Sequence, residues 1–133
     1  MSKVLVAYDG SDDARLALEY AAAKHADAER TVISVVPGAS SGRGGGIDPT
    51  SSVEDHRSAL GEAAALLADR GLAGRTVESV GHPADAIVHA AEQGGYDLVI
   101  VGSRGLSGVA RFLTGSVSSR VVAHAPCSVL VVR

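Results

Sequence analysis

Five short apolar runs, rich in valine, recur along the chain and are separated by longer stretches of mixed polarity. They predict five β-strands, at Val4 to Tyr8, Thr31 to Val36, Arg75 to Val80, Leu98 to Gly102 and Ser128 to Val132. Four of the runs are apolar nearly throughout, which is typical of strands that are covered on both faces of a parallel sheet. The third run alternates apolar and polar residues, so we expect it at an edge of the sheet.

The stretches between these runs carry apolar residues at helical spacing. Each of the four predicted helices has one apolar face. In chain order, the residues on these faces are Ala14, Ala17, Leu18 and Ala21 in the first helix; Leu60, Ala63, Ala64 and Leu67 in the second; Ala84, Ile87, Val88 and Ala91 in the third; and Val117 and Val121 in the fourth. The helix boundaries agree with this pattern. Ser11 is a suitable N-cap, Pro83 opens the third helix, and Gly94 and Gly95 end it.

Strands and helices therefore alternate in the order βαβαβαβαβ. This order predicts an α/β fold: an open, doubly wound, five-stranded parallel sheet of the Rossmann-like kind, with helices on both faces and right-handed crossovers. The 133 residues suffice for one ordinary core, so we expect a single domain over residues 1–133. In such sheets ligands bind at the carboxyl ends of the strands, where the strand order reverses.

One segment, Gly38 to Ser52, departs from the alternation. It contains five glycines and four serines with no apolar periodicity, which predicts a loop. Both a solvated connector and an ordered lid are compatible with this composition, and the first is favoured because glycine lowers the propensity for helix and strand whatever the function.

Composition and charge narrow the range of partners. The net charge is -3 with a pI near 5.9, and Lys3 and Lys24 are the only lysines, which argues against a nucleic-acid partner. No apolar stretch approaches the ~18 residues of a membrane span, and the beginning of the sequence does not resemble a signal peptide, so we expect a cytoplasmic protein without a membrane partner. A lone cysteine, Cys127, excludes an internal disulfide and is expected as a small buried hydrophobe.

Candidate chemistry lies after the fourth predicted strand. Gly102-Ser103-Arg104-Gly105 is followed, after nine residues, by Gly115-Ser116-Val117 at the start of the last predicted helix. Glycines permit close approach to main chain, and a helix N-terminus offers unpaired amides to an anion, so this segment could cradle a phosphate chain, with Arg104 or Arg111 beside it. Glycines after a strand also serve tight turns, and Thr114 or Ser116 could be an N-cap only. The segment alone leaves both interpretations open.

Position favours the phosphate cradle. The carboxyl end of the fourth strand should neighbour that of the first, where Asp9 follows Val6-Ala7-Tyr8. A carboxylate acceptor beside a phosphate cradle suits the ribose or the base of a nucleotide. Asp9 is also a common residue type for a turn such as Asp9-Gly10-Ser11.

The spacing Gly102, Gly105, Gly115 and Ser116 resembles the G-x2-G-x9-G-S/T motif of the ATP-binding branch of the universal stress protein family. The similarity extends over nearly the whole chain, from the opening strand and turn to Pro126-Cys-Ser-Val-Leu-Val-Val132. It implies a fold of the adenine nucleotide alpha hydrolase-like class. It also implies ATP as ligand, with Mg2+ bridging the phosphates, and a homodimer that pairs through the last strand, Val129 to Val132.

The same resemblance implies roles for individual residues. Ala7, Tyr8, Asp9 and Val35 would line the adenosine, and Val101 and Gly102 would continue that wall. Arg104, Gly105, Gly115, Ser116 and Val117 would lie along the phosphates.

Other functional classes fit less well. A Walker A loop needs a lysine before its Ser or Thr, and the dinucleotide fingerprint would follow the first strand, where Asp9-Gly10-Ser11 stands instead. The sequence leaves three hypotheses: a nucleotide-binding regulatory module without enzymatic activity, a slow ATP hydrolase using Asp9, Arg104 and Arg111, and a phospho-acceptor domain. The third lacks an aspartate at the end of the third strand. If the chain binds no nucleotide, the alternative to all three is a partner-interaction module of the same fold.

Overall fold

The computed structural model describes residues 2–37, 49–102 and 116–132. Within these ranges the alternation is complete. The elements are β1 (Lys3–Ala7), α1 (Asp12–Lys24), β2 (Glu29–Pro37), α2 (Pro49–Asp69), β3 (Arg75–Gly81), α3 (Pro83–Gly94), β4 (Leu98–Gly102), α4 (Ser116–His124) and β5 (Ser128–Val132). The predicted loop Gly38 to Ser52 lies outside the described residues except at its end, where the prediction is wrong: Pro49 to Ser52 form the first turn of α2, and proline is well tolerated at the first position of a helix.

The five strands form one parallel sheet in the order β3-β2-β1-β4-β5. The strand order reverses between β1 and β4, which is the arrangement expected of a doubly wound sheet. β3 is an edge strand, as the alternating sequence predicted, and most of its side chains are exposed. The predicted fold class is confirmed.

Two separate cores cover the two faces of the sheet. On one face Val4, Val6, Tyr8 and Ile100 pack against α1 and α2; on the other face Leu5, Val99 and Val101 pack against α3 and α4. Successive residues of a strand point to opposite faces, so the continuous apolar runs of β1 and β4 supply both cores at once.

The helix caps follow the sequence. The Ser11 side chain accepts a hydrogen bond from the Ala14 amide at 3.2 Å, and Gly95, at φ +66°, ends α3 in the left-handed conformation that favours glycine. One helix-face prediction is wrong: Ala64 is exposed. The buried stripe of α2 is instead Ala59, Leu60, Ala63 and Leu67, because Ala64 lies about 100° further round the helix from Ala63.

Candidate functional site

The candidate site lies at the carboxyl edge of the sheet, where β1 and β4 are neighbours. Val6 pairs in register with Ile100, and Ala7 pairs with Ile33 on β2. The turn that follows β1 and the end of β4 are therefore side by side. This juxtaposition, inferred from the sequence, is the geometric basis of the site.

Four of the predicted site residues belong to the same face of the sheet. Val35 and Val101 are buried in the core under α3 and α4, and Ala7 and Val117 pack against that core. Together they form an apolar layer just below the carboxyl edge. The side chains of Val35 on β2 and Val101 on β4 are buried in this core. A ligand at the carboxyl edge would therefore contact chiefly main-chain atoms at the strand ends.

Tyr8 points to the opposite face. Its side chain is 1% exposed in the core under α1 and α2, and its hydroxyl donates to Glu62 Oε1 at 2.9 Å. Arg15 Nη2 donates to the same carboxylate oxygen at 3.3 Å. The Tyr8 side chain thus ties the end of β1 to α2, and only its main chain lies at the edge with Ala7 and Asp9.

This triad shifts the ionisation of its members. Burial, reinforced by the hydrogen bond to Glu62, raises the pKa of Tyr8 from 10.0 to about 12. The hydrogen bonds from Tyr8 and Arg15 lower the pKa of Glu62, so its carboxylate is charged at neutral pH. Sequence reasoning missed Glu62 and Arg15, since nothing in helical periodicity indicates that a polar outer residue of α2 meets a buried tyrosine.

Asp9 builds the turn after β1. Its Oδ1 accepts a hydrogen bond from the Ser11 amide at 2.9 Å, and Gly10 between them has φ +85°. This is the aspartate-initiated turn that the sequence offered as the alternative role for Asp9. The turn fixes where α1 begins, and a role for Asp9 toward a nucleotide stays a prediction.

Gly102 is a glycine for a reason that lies within the protein. A Cβ placed on it would be 2.8 Å from the carbonyl carbon of Asp13 and 2.9 Å from the Ala14 amide nitrogen, both in the first turn of α1. Any side chain there would displace α1. Ligand approach and a tight turn were the two causes that the sequence suggested for this glycine, and the close packing of β4 against α1 is a further, sufficient cause.

The middle of the candidate phosphate segment, with Arg104, Gly105, Arg111 and Gly115, lies outside the described residues. Its far end is described, because α4 begins at Ser116. The first amides of a helix have no partners within it and carry the positive end of the helix dipole. Val117 anchors this turn to the core and Val121 is fully buried, so the N-terminus of α4 is held at the carboxyl edge of the sheet.

An ion pair joins α4 to α3 beside this edge. Arg120 Nη2 lies 3.2 Å from Asp85 Oδ1, and His82, the N-cap residue of α3, has Nδ1 3.9 Å from Asp85 Oδ2. All three side chains are at least half-exposed. Nothing in the sequence pattern indicated the contact between Arg120 and Asp85, because helical periodicity does not show which polar residues of neighbouring helices meet.

Residues 2–37, 49–102 and 116–132 offer neither a metal cluster nor a membrane span. In those ranges His, Cys, Asp and Glu side chains form no group of three that could hold a metal ion. Within the same part of the chain, no helix has both the length and the apolar character needed to span a bilayer.

Comparison with known proteins gives a consistent result. The family model described as the universal stress protein family matches residues 1–133. Universal stress protein YxiE of Bacillus subtilis is 35% identical over 146 aligned positions, covering 99% of each chain. Among solved structures, universal stress protein UspA from Lactobacillus plantarum has a TM-score of 0.74 at 28% identity, covering 99% of this chain and 97% of its own. A universal stress protein solved in complex with cAMP has a TM-score of 0.74 at 26% identity, with the same coverage.

Proposed function

Because this chain belongs to the universal stress protein family, we propose that it binds ATP at the carboxyl edge between β1 and β4 and acts as a nucleotide-dependent regulatory module. One observation carries the proposal. The reversal of strand order sets the Ala7 to Asp9 turn beside Gly102, from which the glycine-spaced motif runs into the N-terminus of α4.

The proposed site has two parts. The adenosine lies over the carboxyl ends of β1 and β2, with Ala7, Asp9 and Val35 contributing chiefly main chain. The phosphates extend past Val101 and Gly102 toward Arg104, Gly105, Gly115, Ser116 and Val117. A similar universal stress protein, 26% identical, was solved with cAMP, and this supports an adenine nucleotide as the ligand class.

The residues present fit a nucleotide whose cation is held by its own phosphates. The described part of the chain offers no group of three metal-ligating side chains, while Mg2+ usually keeps several waters and takes only one or two protein ligands beside phosphate oxygens. We propose that Mg2+ enters with ATP. Its contribution would be to neutralise negative charge on the phosphates.

We propose a binding role rather than a catalytic one. Hydrolysis requires a group that positions water at the γ-phosphate and a clamp for the developing charge. The candidates for these two tasks are Asp9, Arg104 and Arg111. The Asp9 carboxylate accepts a hydrogen bond from the Ser11 amide through Oδ1, which supports a structural or binding role.

We further propose that the protein is cytoplasmic and forms a homodimer through β5, an edge strand whose apolar side chains are only half-buried.

The test is direct. Freshly purified protein is denatured, any released nucleotide is identified by mass spectrometry, and stripped protein is titrated with ATP and magnesium by calorimetry. Recovery of an adenine nucleotide, or clear binding heat, is expected. No nucleotide and no heat at millimolar ATP would leave a partner-binding module whose glycines only shape a turn.

The phosphate assignment has its own test in Gly115→Val. A β-branched side chain directly before the first residue of α4 should block access to the main-chain amides at the helix N-terminus. ATP binding should then be lost while the fold stays intact. Gly61→Val is the matched control, since Gly61 lies on the exposed side of α2 and a Cβ added there would meet no neighbouring atom within 4 Å. Unchanged ATP affinity in Gly115→Val would show that the phosphates lie elsewhere.

A further inference from the structure

The buried hydroxyl of Tyr8 is a feature that core packing does not explain. The Tyr8 ring fills the core under α1 and α2, a task that phenylalanine performs equally well. The hydroxyl, by contrast, requires a hydrogen-bond partner, since an unpaired polar group within a core is costly. That partner is Oε1 of Glu62, at 2.9 Å, on a side chain of α2 that is 56% exposed. A residue on the surface of a helix is thus bonded to the end of β1.

Glu62 has a second partner on a different element. Arg15 Nη2 donates to the same Oε1 atom at 3.3 Å, and Arg15 Nη1 donates to Asp12 Oδ1, also at 3.3 Å. Asp12 is the first residue of α1, so the guanidinium of Arg15 joins Glu62 to the first turn of that helix. Glu62 is therefore connected both to the end of β1 and to the beginning of α1.

These two elements border the proposed nucleotide site. The Tyr8 amide donates to the Ile33 carbonyl at 2.9 Å, and the next residue, Asp9, forms the turn into α1. The first turn of α1 also packs on Gly102 at the end of β4, where an added Cβ would lie 2.8 Å from the carbonyl carbon of Asp13. A shift of either element would therefore move main-chain atoms that line the proposed site.

We propose that Glu62 and Arg15 are positioning residues for nucleotide binding, which hold the end of β1 through Tyr8 and the end of β4 through the first turn of α1. The inference rests on the proposed function and extends it to side chains that act through other residues rather than by contact with the ligand. Groups that bind a ligand must be kept within about 0.5 Å of their productive positions, and a supporting layer of packed and hydrogen-bonded side chains does this. ATP affinity should accordingly depend on Glu62.

A second ion pair between α1 and α2 provides a matched comparison. Arg70 Nη2 lies 3.9 Å from Glu19 Oε2, and Glu19, at 42%, is a partly exposed glutamate like Glu62. Arg70 follows the end of α2 and precedes β3, so this pair lies toward the amino end of the sheet, away from Tyr8. Exposed ion pairs contribute little to stability. The two glutamates therefore differ mainly in the elements to which they are connected.

The test compares ATP affinity by calorimetric titration in Glu62→Met and Glu19→Met. Each variant loses a carboxylate that pairs α1 with α2, but Glu62→Met also leaves the Tyr8 hydroxyl without its acceptor. The ATP dissociation constant should rise about tenfold in Glu62→Met, because apparent affinity falls with the fraction of molecules in the binding-competent conformation. In Glu19→Met it should stay within about twofold of the wild type.

Two conservative variants separate positioning from folding. Glu62→Gln keeps a side-chain oxygen that can accept from Tyr8, so it should recover most of the affinity that Glu62→Met loses. Tyr8→Phe retains the buried ring and should lose affinity as Glu62→Met does. Far-UV circular dichroism and urea unfolding establish that each variant is folded under the conditions of the titration. A purely structural role would lower the free energy of unfolding without changing the dissociation constant of the folded protein.

The outcomes distinguish this inference from the proposed function. A wild type that yields no adenine nucleotide on denaturation and does not bind ATP would overturn both. A wild type that binds ATP, with an unchanged dissociation constant in Glu62→Met and in Tyr8→Phe, would overturn the positioning role alone. Equal weakening in Glu62→Met and Glu19→Met would also overturn it, since the effect would then not depend on the connection to Tyr8.

Discussion

At the amino-terminal end of the sheet, side chains bind the connections to one another through their main-chain carbonyls, whereas at the carboxyl end the described residues between β1 and β4 are the Asp9 turn and Gly102. The side chain with most of these hydrogen bonds is that of Arg30, which is 6% exposed. Its Nη1 donates to the carbonyls of His25, Ala26 and Ala28, and its Nη2 donates to that of Ala73 at 2.9 Å. One guanidinium thus joins the connections that lead into β2 and β3.

A second group of contacts at the same end joins the segment before β4 to β1 and β2. The Tyr96 hydroxyl donates to Thr31 Oγ1 at 2.7 Å, and the Lys3 amide donates to Asp97 Oδ2 at 2.9 Å. Lys3 Nζ also sits 4.9 Å from the centre of the Tyr96 ring and donates to the Gly94 carbonyl. These contacts lie at the opposite end of the sheet from the proposed ligand site, so substitutions at the two ends should have separable effects on stability and on ATP binding.

Arg30→Met should have the largest effect on stability. It removes four hydrogen bonds from a charged donor and leaves carbonyls without partners, so the free energy of unfolding should fall by about 3 kcal/mol or more. Urea unfolding followed by circular dichroism measures this. ATP affinity of the folded variant should not change, because Arg30 lies at the far end of the sheet from the proposed site.

Arg70→Met is the control for Arg30. Arg70 is exposed, with Nη2 3.9 Å from Glu19 Oε2, and its loss should change the free energy of unfolding by less than about 1 kcal/mol. If Arg30→Met were no more destabilising than Arg70→Met, or if it weakened ATP binding in the folded protein, the separation of the two ends would be wrong.

Gly102→Ala should have the next largest effect. The new Cβ would overlap the first turn of α1, and overpacking of this kind costs about 1 to 3 kcal/mol. Gly61→Ala should instead stabilise the protein by up to about 1 kcal/mol, because Gly61 is exposed within α2 and has open space around it. Thermal unfolding of both variants checks the opposite signs. A stable Gly102→Ala variant that loses ATP binding would restore ligand approach as the reason for this glycine.

Much of the fold was predictable because the apolar pattern carries it. The four largely apolar runs and the alternating run at β3 identify the strands, and Ser11, Pro83 and Gly95 mark helix ends through local backbone chemistry. The hydrogen bonds of Arg30 could not be predicted from the sequence, because their acceptors are main-chain carbonyls, which every residue has. Ala64 was misassigned because an alanine-rich helix offers several apolar stripes of similar quality.

For the candidate site, the sequence predicted the placement of the strand ends. The end of β4 lies beside the turn at Asp9, as expected from the strand order, and the nucleotide-binding roles of Asp9, Gly102 and Ser116 stay predictions. Periodicity could not show that Tyr8 turns away from that edge toward Glu62. The close packing of Gly102 against α1 could not be predicted either, because the apolar pattern does not indicate which main-chain segments lie close together.

Tyr8→Phe should have a smaller effect, at the carboxyl end. Loss of the hydrogen bond to Glu62 should lower the free energy of unfolding by about 1 kcal/mol at neutral pH. The tyrosine has a folded pKa of about 12 against 10.0 unfolded, so the folded state holds its proton more tightly. The corresponding stability is fully present below pH 10 and is lost as the pH rises toward 12.

The pH dependence distinguishes this hydrogen bond from simple packing. Unfolding of the wild type at increasing alkaline pH should show a decline in stability that is reduced in Tyr8→Phe. Tyr20→Phe, at a tyrosine that is 37% exposed, should retain the decline. A Tyr8→Phe profile parallel to that of the wild type would mean that Tyr8 does not hold its proton through burial and Glu62.

Asp85→Asn should have the smallest effect, although it lies beside the proposed site. The Asp85 and Arg120 side chains are 65% and 51% exposed, and ion pairs of that kind contribute up to about 1 kcal/mol and are screened by salt. Since Val121 already anchors α4 in the core, we expect unfolding free energies within about 0.5 kcal/mol of the wild type and a difference that disappears in high salt. Calorimetric titration with ATP should give a nearly unchanged affinity. A marked loss of affinity at unchanged stability would show that the orientation of α4 at the carboxyl edge depends on this ion pair rather than on core packing.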